Sequence, residues 1–449
     1  MNAGDNLALL TDFYQLTMAQ SYFESGKLKP ATFSLFIRSY PRNRGYFVAA
    51  GLADVLKFLE QFSFDRSAID YLRSRGMFTD EFLDFLRDLR FTGDVWAIPE
   101  GRLFFKDEPV LEVTAPIVEA QLVETFIINQ INLQSLIATK AARCLHAARG
   151  RVVVDFSLRR THGIDAGMKV ARASYLAGFA GTSNVKAGEQ YGIPIVGTMA
   201  HSFVSSFENE LDAFRAFVTS FPNNSILLID TYDTVSGAQN AVQIAGEMAA
   251  RGQRLQGVRI DSGDLVKLAF EVRRIFDAAG FPEVKIVGSG GLDEYDLADY
   301  SAAKVPYDSY GVGTKMGTSA DAPWTDIAYK LVEYDNRGVL KLSKGKVSSP
   351  GKKQVFRAYD NGGWLRKDVI TLRDEKLPDT EPILKKVMAG GKTIAPTQSL
   401  DEARSTFLTD FQRLPDPIKA ISHPATYPVE LSAELTAARE KIESEIARG

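Results

Sequence analysis

The chain has 449 residues, more than one ordinary core accommodates, so two domains are expected, one inserted in or wrapped by the other. Its composition is 45% hydrophobic and 24% charged with a net charge of −3, which gives no footprint for nucleic acid and leaves any anionic ligand to be met by local cations. One cysteine excludes a disulfide framework and a cysteine zinc site, and four histidines, none spaced four apart, argue against a dedicated transition-metal site.

In chain order, the opening MNAGDNLALLTD lacks the regions of a signal peptide and no 18-residue apolar run follows, so a cytoplasmic chain without a membrane partner is expected. Thr11 is placed to cap a helix over DFYQLTMAQSYFESG, with Phe13, Leu16, Tyr22 and Phe23 at helical spacing and Gly26 as its stop. Tyr14 and Tyr22 read as core or interface packing. ATFSLFIRS alternates as a strand, helical patterns follow near 49–61 and 80–89, and the short runs VWAIPEG, RLFF and VLEVTAP complete a mixed α+β layer. After a long helical pattern over 117–149, apolar strand cores recur with helices between them: RVVVDFSL, IPIVGTM, SILLIDTYD, LQGVRIDSGD, VKIVGSGG and SYGVGTK. Continuous Val/Ile/Leu runs at this spacing are those of buried parallel strands and imply a complete or incomplete barrel. Past Tyr329, hairpins are expected around Asn336-Arg337-Gly338 and Asn361-Gly362-Gly363, and helices close the chain. The expected fold class is α/β. An incomplete TIM-like barrel over 136–333 is inserted in an α/β sandwich built from both chain ends, 1–135 and 334–449.

Strand ends carry the chemistry. The block from Phe156 to Ser202 delivers Arg159 and Arg160 from one strand end and Thr198, His201 and Ser202 from another. Adjacent side chains on a strand point opposite ways, so at most one of the two arginines is expected to face the mouth at a given depth. Asp230 and Asp233, and then Asp261 and Asp264 beside Arg259, either bind ribose hydroxyls or a hydrated Mg²⁺ or simply cap the following helices. Gly288-Ser289-Gly290-Gly291 and Gly311-Val312-Gly313-Thr314-Lys315 are two glycine-rich turns on consecutive strand ends, the pattern of a barrel phosphate site. His201 is either a satisfied structural histidine or a phosphoryl acceptor or general base. GKVSSPGKK at 345–353 has the wrong spacing for a P-loop and is read as a basic, phosphate-contacting loop.

These motifs, in this order, resemble the nicotinate phosphoribosyltransferase family: LLTDFYQLTMAQSY, FSLRRTHG, AGFAGTSNVKAGEQYGIPIVGTMAHS, LLIDTYDT, GVRIDSGDL, GSGGLDEY, YGVGTKMGTS with YKLVEY, and KLSKGKVSSPGKKQVFR. The resemblance covers essentially the whole chain. It implies a type II phosphoribosyltransferase fold and a homodimer with shared sites. It also implies that nicotinate displaces pyrophosphate from 5-phosphoribosyl 1-pyrophosphate (PRPP), with Mg²⁺ on the phosphates and ATP as co-substrate. His201 would be the histidine that ATP phosphorylates; Phe156 and a Tyr14 from the other subunit would sandwich the pyridine. Thr198 and Arg259 would lie beside nicotinate, Arg159, Gly313 and Thr314 would hold phosphates, Asp261 the ribose, and Ser289, Gly290 and Gly291 the 5′-phosphate. Ser183 stands where nicotinamide-using relatives place an Asp, which favours the acid. Three rivals stand beside this reading: a quinolinate-using enzyme of the same fold, a Schiff-base lyase with Lys186 or Lys315 as nucleophile, and a binding protein without turnover.

Overall fold

The computed structural model describes residues 7–341, 348–394 and 398–448. Contacts divide the chain into two compact units, Met1–Thr139 with Ala322–Gly449, and Lys140–Asp321.

In the first unit, strand Pro30–Ile37 sits between Leu111–Pro116 and Ile327–Tyr334, so residues from both chain ends pair in one seven-stranded antiparallel sheet. Its apolar positions face a shared core: Leu35, opposite Leu111 and Tyr329, is fully buried. A second, four-stranded sheet contains the expected hairpin Lys353–Tyr359 and Leu365–Leu372, turned by Asn361-Gly362-Gly363. Charged side chains are buried near this sheet in matched sets: Arg357 pairs with Asp368 and Asp410, and Arg102 with Asp410 and, at 2.7 Å, Glu381. The hydrogen bonds from Arg102 hold Glu381 down to about 2 against its burial.

Two local expectations are corrected in this unit. Helix Phe13–Glu24 takes Asp12, not Thr11, as its N-cap, and the Asp12 side chain makes no capping bond. Tertiary partners compete for both groups: the Thr11 hydroxyl donates to the Leu122 carbonyl, and the Asp12 carboxylate accepts from Thr125. The helix buries Leu16 and Ala19 but leaves Phe13, Tyr14 and Met18 exposed. The long helical pattern resolves into Ile117–Leu122 and Glu124–Ala147.

The second unit carries a five-stranded parallel sheet in the order Val152–Asp155, Ser309–Val312, Lys285–Gly288, Gly257–Ile260, Ile226–Leu228. Helices follow the strands, and the N-caps of three of them, Asp233, Asp264 and Asp293, accept backbone N–H groups of the first turn. IPIVGTM is not the strand expected of it. Ile195 forms a single bridge to Thr182, which bridges Asp155 in turn. Pro194 has no N–H to donate, and its carbonyl accepts from Thr182 while Val196 donates back, so the ladder ends after one rung. Among the described residues no helix is long and apolar enough to cross a membrane.

Candidate active site

The carboxyl ends of the parallel strands open into a cleft of about 560 Å³ lined by Phe156, Arg159, Arg160, Ser183, His201, Arg259, Asp261, Ser289, Gly290, Gly291, Gly313 and Thr314, together with Leu158, Gly197, Met199, Ala200 and Gly311. Residues separated by more than 150 positions thus meet because parallel strands end at one edge. Thr198 is half-buried beside this lining without joining it, its hydroxyl directed to the Met199 carbonyl at 3.4 Å. Tyr14 belongs to the first unit, where it is 50% exposed.

Both arginines reach the cleft, which corrects the alternation expected of them. The strand stops at Asp155, and Leu158–Arg160 form a 3₁₀ turn, which turns consecutive side chains by about a third of a revolution rather than by half. Phe156 is anchored by its N–H to the Val312 carbonyl at 2.8 Å, and its ring lies against Gly311, where any Cβ would overlap its edge. The Arg259 guanidinium sits 5.9 Å from the centroid of that ring. Arg259 donates to the Met199 carbonyl at 3.0 Å, while its buried Nε has no partner among the described residues. Burial lowers its pKa, against the opposing pull of Asp261 and Asp230. A desolvated cation with an unused donor beside an aromatic face is built to receive a flat anion.

Gly290 and Gly291 have φ of +101° and +74°, so the turn after strand Lys285–Gly288 has two successive residues in the left-handed region and no side chain there to keep an anion from its backbone N–H groups. Ser289 closes the turn by donating to the Asp261 carboxylate. Asp230 accepts from the Asp261 N–H at 3.0 Å and keeps a buried Oδ1 without a partner among the described residues. His201 opens the short helix His201–Ser205, with Nδ1 3.1 Å from the Thr231 hydroxyl.

Sequence reasoning missed Met199, which acts through its backbone, to which side-chain motifs are blind. It read Gly311 as part of a glycine-rich phosphate turn; the structure corrects this, placing Gly311 inside strand Ser309–Val312 against the Phe156 ring, the close approach that a glycine inside a strand marks. Lys186 and Lys315 do not line the cleft: Lys186 pairs with Glu189, and Lys315 with Asp293 and Asp296. A second cavity, of about 470 Å³ in the first unit, is lined by cations that are themselves paired, Lys353 with Glu112, Lys106 with Asp107 and Arg439 with Glu443. Of the loop at 345–353, residues 345–347 lie outside the described residues.

The chain matches the nicotinate phosphoribosyltransferase N-terminal domain over residues 9–132, the nicotinate phosphoribosyltransferase family over 152–355 and the nicotinate phosphoribosyltransferase C-terminal domain over 378–439. It is 48% identical over 445 residues to nicotinate phosphoribosyltransferase pncB2 of Mycobacterium tuberculosis, covering 98% of this chain and 93% of that one. It is 39% identical over 384 residues to the Bacillus subtilis nicotinate phosphoribosyltransferase, covering 84% and 78% respectively. The crystal structure of human nicotinic acid phosphoribosyltransferase superposes with a TM-score of 0.87 at 30% identity, over 96% of this chain and 99% of the human one. The chain belongs to the nicotinate phosphoribosyltransferase family.

Proposed function

We propose that the chain transfers the phosphoribosyl group of PRPP to the ring nitrogen of nicotinate, giving nicotinate mononucleotide and pyrophosphate, with one ATP hydrolysed to ADP and phosphate. The observation that carries this reading is the pairing, in one cleft, of the Phe156 ring and the unsatisfied Arg259 donor with the left-handed Gly290-Gly291 turn. The first suits a flat aromatic acid, the second a phosphate.

The pyridine nitrogen has a free lone pair, so the displacement needs no general base. What it needs is orientation and charge. Phe156 and a Tyr14 from a second copy of the chain stack the ring, each aromatic pair contributing about 0.5–1.5 kcal/mol beyond area burial. Arg259 holds the nicotinate carboxylate, with Thr198 behind the lining rather than in it, and Ser183 admits the acid where an Asp would repel it. Ser289, Gly290 and Gly291 hold the 5′-phosphate, and Arg159, Gly313 and Thr314 the remaining phosphates. Asp261 lies beside the ribose, where positive charge develops at the anomeric carbon. Of the carboxylates, Asp261 lines the cleft and would hold a Mg²⁺ that arrives on the phosphates, one carboxylate being enough for such an ion, while Asp230 stands behind it with its Oδ1 buried. Bound there, such an ion would neutralise charge on the departing pyrophosphate. His201, oriented by Thr231, takes the phosphoryl group of ATP, coupling hydrolysis to the transfer.

We further read the parallel sheet as an incomplete barrel, the unit built from both chain ends as an α/β sandwich, and the protein as a cytoplasmic homodimer. The exposed Phe13, Tyr14 and Met18 on one helix support a second copy as the occupant of that face. The paired state of Lys186 and Lys315 counts against a Schiff-base lyase. The test is product formation from PRPP and Mg²⁺ with nicotinate, nicotinamide or quinolinate, each with and without ATP. Product from nicotinate alone, raised by ATP, is expected; no product from any base would leave a binding protein.

A further inference from the structure

Asp155 is 1% exposed, touches no cleft surface, and uses its carboxylate entirely to tie together segments that do. One oxygen accepts from the Ser157 N–H at 2.8 Å, holding the turn that carries Phe156, Arg159 and Arg160. The other accepts from the Thr182 hydroxyl at 2.7 Å, and that hydroxyl in turn accepts the Asn184 N–H at 3.0 Å, bracketing Ser183. The Asp155 carbonyl accepts the Ser183 N–H itself at 2.8 Å. Thr182 extends the tie by its backbone to Pro194 and Val196, which lead into Gly197 and His201. A carboxylate is suited to this junction because it only accepts, and both of its neighbours donate. Burial raises its pKa while the bonds from Ser157 and Thr182 oppose that shift.

We infer that Asp155 is a positioning residue that sets the spacing between the Phe156 ring and Ser183, and through it the discrimination between the acid and amide forms of the pyridine substrate. The inference rests on the reading of the cleft as a nicotinate site. Selectivity set by one hydroxyl depends on where the ring is clamped: a ring displaced from Phe156 brings its carboxylate or carboxamide to a different distance from Ser183 and Arg259. The 5′-phosphate of PRPP, held by the glycine turn after another strand, is outside this tie, and the turn that carries Arg159 is held by the Ser157 N–H bond, which loss of the Thr182 hydroxyl leaves in place.

Wild-type enzyme is assayed first with PRPP and each pyridine; no turnover of nicotinate would fail the substrate reading whatever Asp155 does. Thr182→Val keeps the side-chain volume and removes the hydroxyl bonded to Asp155. It is expected to raise KM for nicotinate and to lower the nicotinate-over-nicotinamide ratio of kcat/KM about tenfold, with KM for PRPP within about twofold. Thr182→Ser, which restores the hydroxyl, should restore the ratio. Asp155→Asn, of equal volume but with a donor replacing one acceptor, should show the same loss and takes the place of Thr182→Val if that variant is insoluble. An unchanged ratio in either variant overturns the inference. So does an equal fall on both pyridines with a lowered Tm, or failure of both variants to fold, since each makes Asp155 a stability residue only.

Discussion

Replacing Gly311 by alanine places one methyl group where it must act on the proposed pyridine wall. Gly311 is buried in strand Ser309–Val312 opposite Val154, and its φ is not in the left-handed region, so alanine costs nothing in backbone strain and suits a strand at least as well as glycine. The new Cβ would overlap the Cδ2 and Cε2 edge of Phe156 by about 1 Å relative to ordinary carbon contact. The Phe156 backbone cannot retreat, because its N–H is bonded to the Val312 carbonyl at 2.8 Å, so the ring must swing. A displacement of about 1 Å at a group that orients a nucleophile costs on the order of a hundredfold in rate, and a spoiled stack removes up to about 1.5 kcal/mol more. The expected result is a kcat/KM for nicotinate lowered on the order of a hundredfold, while KM for PRPP and Tm stay near wild type. Steady-state kinetics with each substrate varied, and a thermal melt, read all three. In a Phe156→Leu background, whose smaller side chain leaves room for the methyl, Gly311→Ala should cost much less than it does in the wild type. Gly311→Ala with a wild-type KM and kcat for nicotinate would refute the assignment of Phe156 as the pyridine wall.

Three further outcomes follow from the same geometry. His201→Ala should abolish ATP hydrolysis and leave a weak, ATP-independent transferase; unchanged ATP stimulation in coupled assays would sink the phosphorylation role. Ser183→Asp puts a carboxylate beside that of nicotinate, a repulsion of about 4 kcal/mol at contact distance and an effective dielectric of 20 before solvent screening, so nicotinate kcat/KM should fall at least a hundredfold while nicotinamide use rises in competition assays. Glu381 has its pKa lowered from 4.5 to about 2 by Arg102, so it stabilises the fold above the unfolded value and loses that contribution as pH falls from about 4.5 to about 2. The contribution is on the order of 1 kcal/mol after allowance for its partial exposure; Glu381→Gln should flatten that part of the stability-against-pH curve, and an unchanged curve would discount the pair.

How far the sequence carries depends on whether a feature is local. Runs such as ILLID, GVRI and KIVG announce buried parallel strands by composition alone, and Asp233 and Asp264, for which capping was one of two readings, do cap the helices that follow; these are decided within a few residues. The hairpin at Asn361-Gly362-Gly363 is of the same kind. IPIVGTM has the composition of a strand, yet Pro194 removes a donor and the single rung, formed by the bonds on either side of Ile195, goes to Thr182, a partner twelve residues upstream of Pro194 that no local window contains. Arg159 and Arg160 were misplaced on alternate faces because the strand ends at Asp155, whose own carboxylate turns the chain by accepting the Ser157 N–H. An Asp two residues before a Ser at a strand end is a turn signal in hindsight, weak by itself. Thr11 lost its capping role to partners 111 residues away. The side chains of the cleft were legible as residue types at strand ends; their anchors, the Met199 carbonyl and the bare face of Gly311, were not.

The charge pattern of the cleft bears on why one site holds both arginines and carboxylates. A site that only captured a diphosphate would do better without Asp261 and Asp230, since each repels the ligand. In the displacement proposed here, the sugar turns cationic between two anionic groups, the pyridine carboxylate and the departing pyrophosphate, so favourable placement alternates in sign. Arg259 lies beside the Phe156 ring; Asp261, bonded by Ser289 to the glycine turn, lies next along the same strand end. Because Ser289 and Asp230 fix Asp261 through its side chain and its N–H, the carboxylate is in position before charge develops, and little reorganisation is left for the transition state. Carboxylates that oppose binding of the ground state and favour the transition state are what differential stabilisation requires, and their presence in a phosphate cleft is better accounted for by catalysis than by capture.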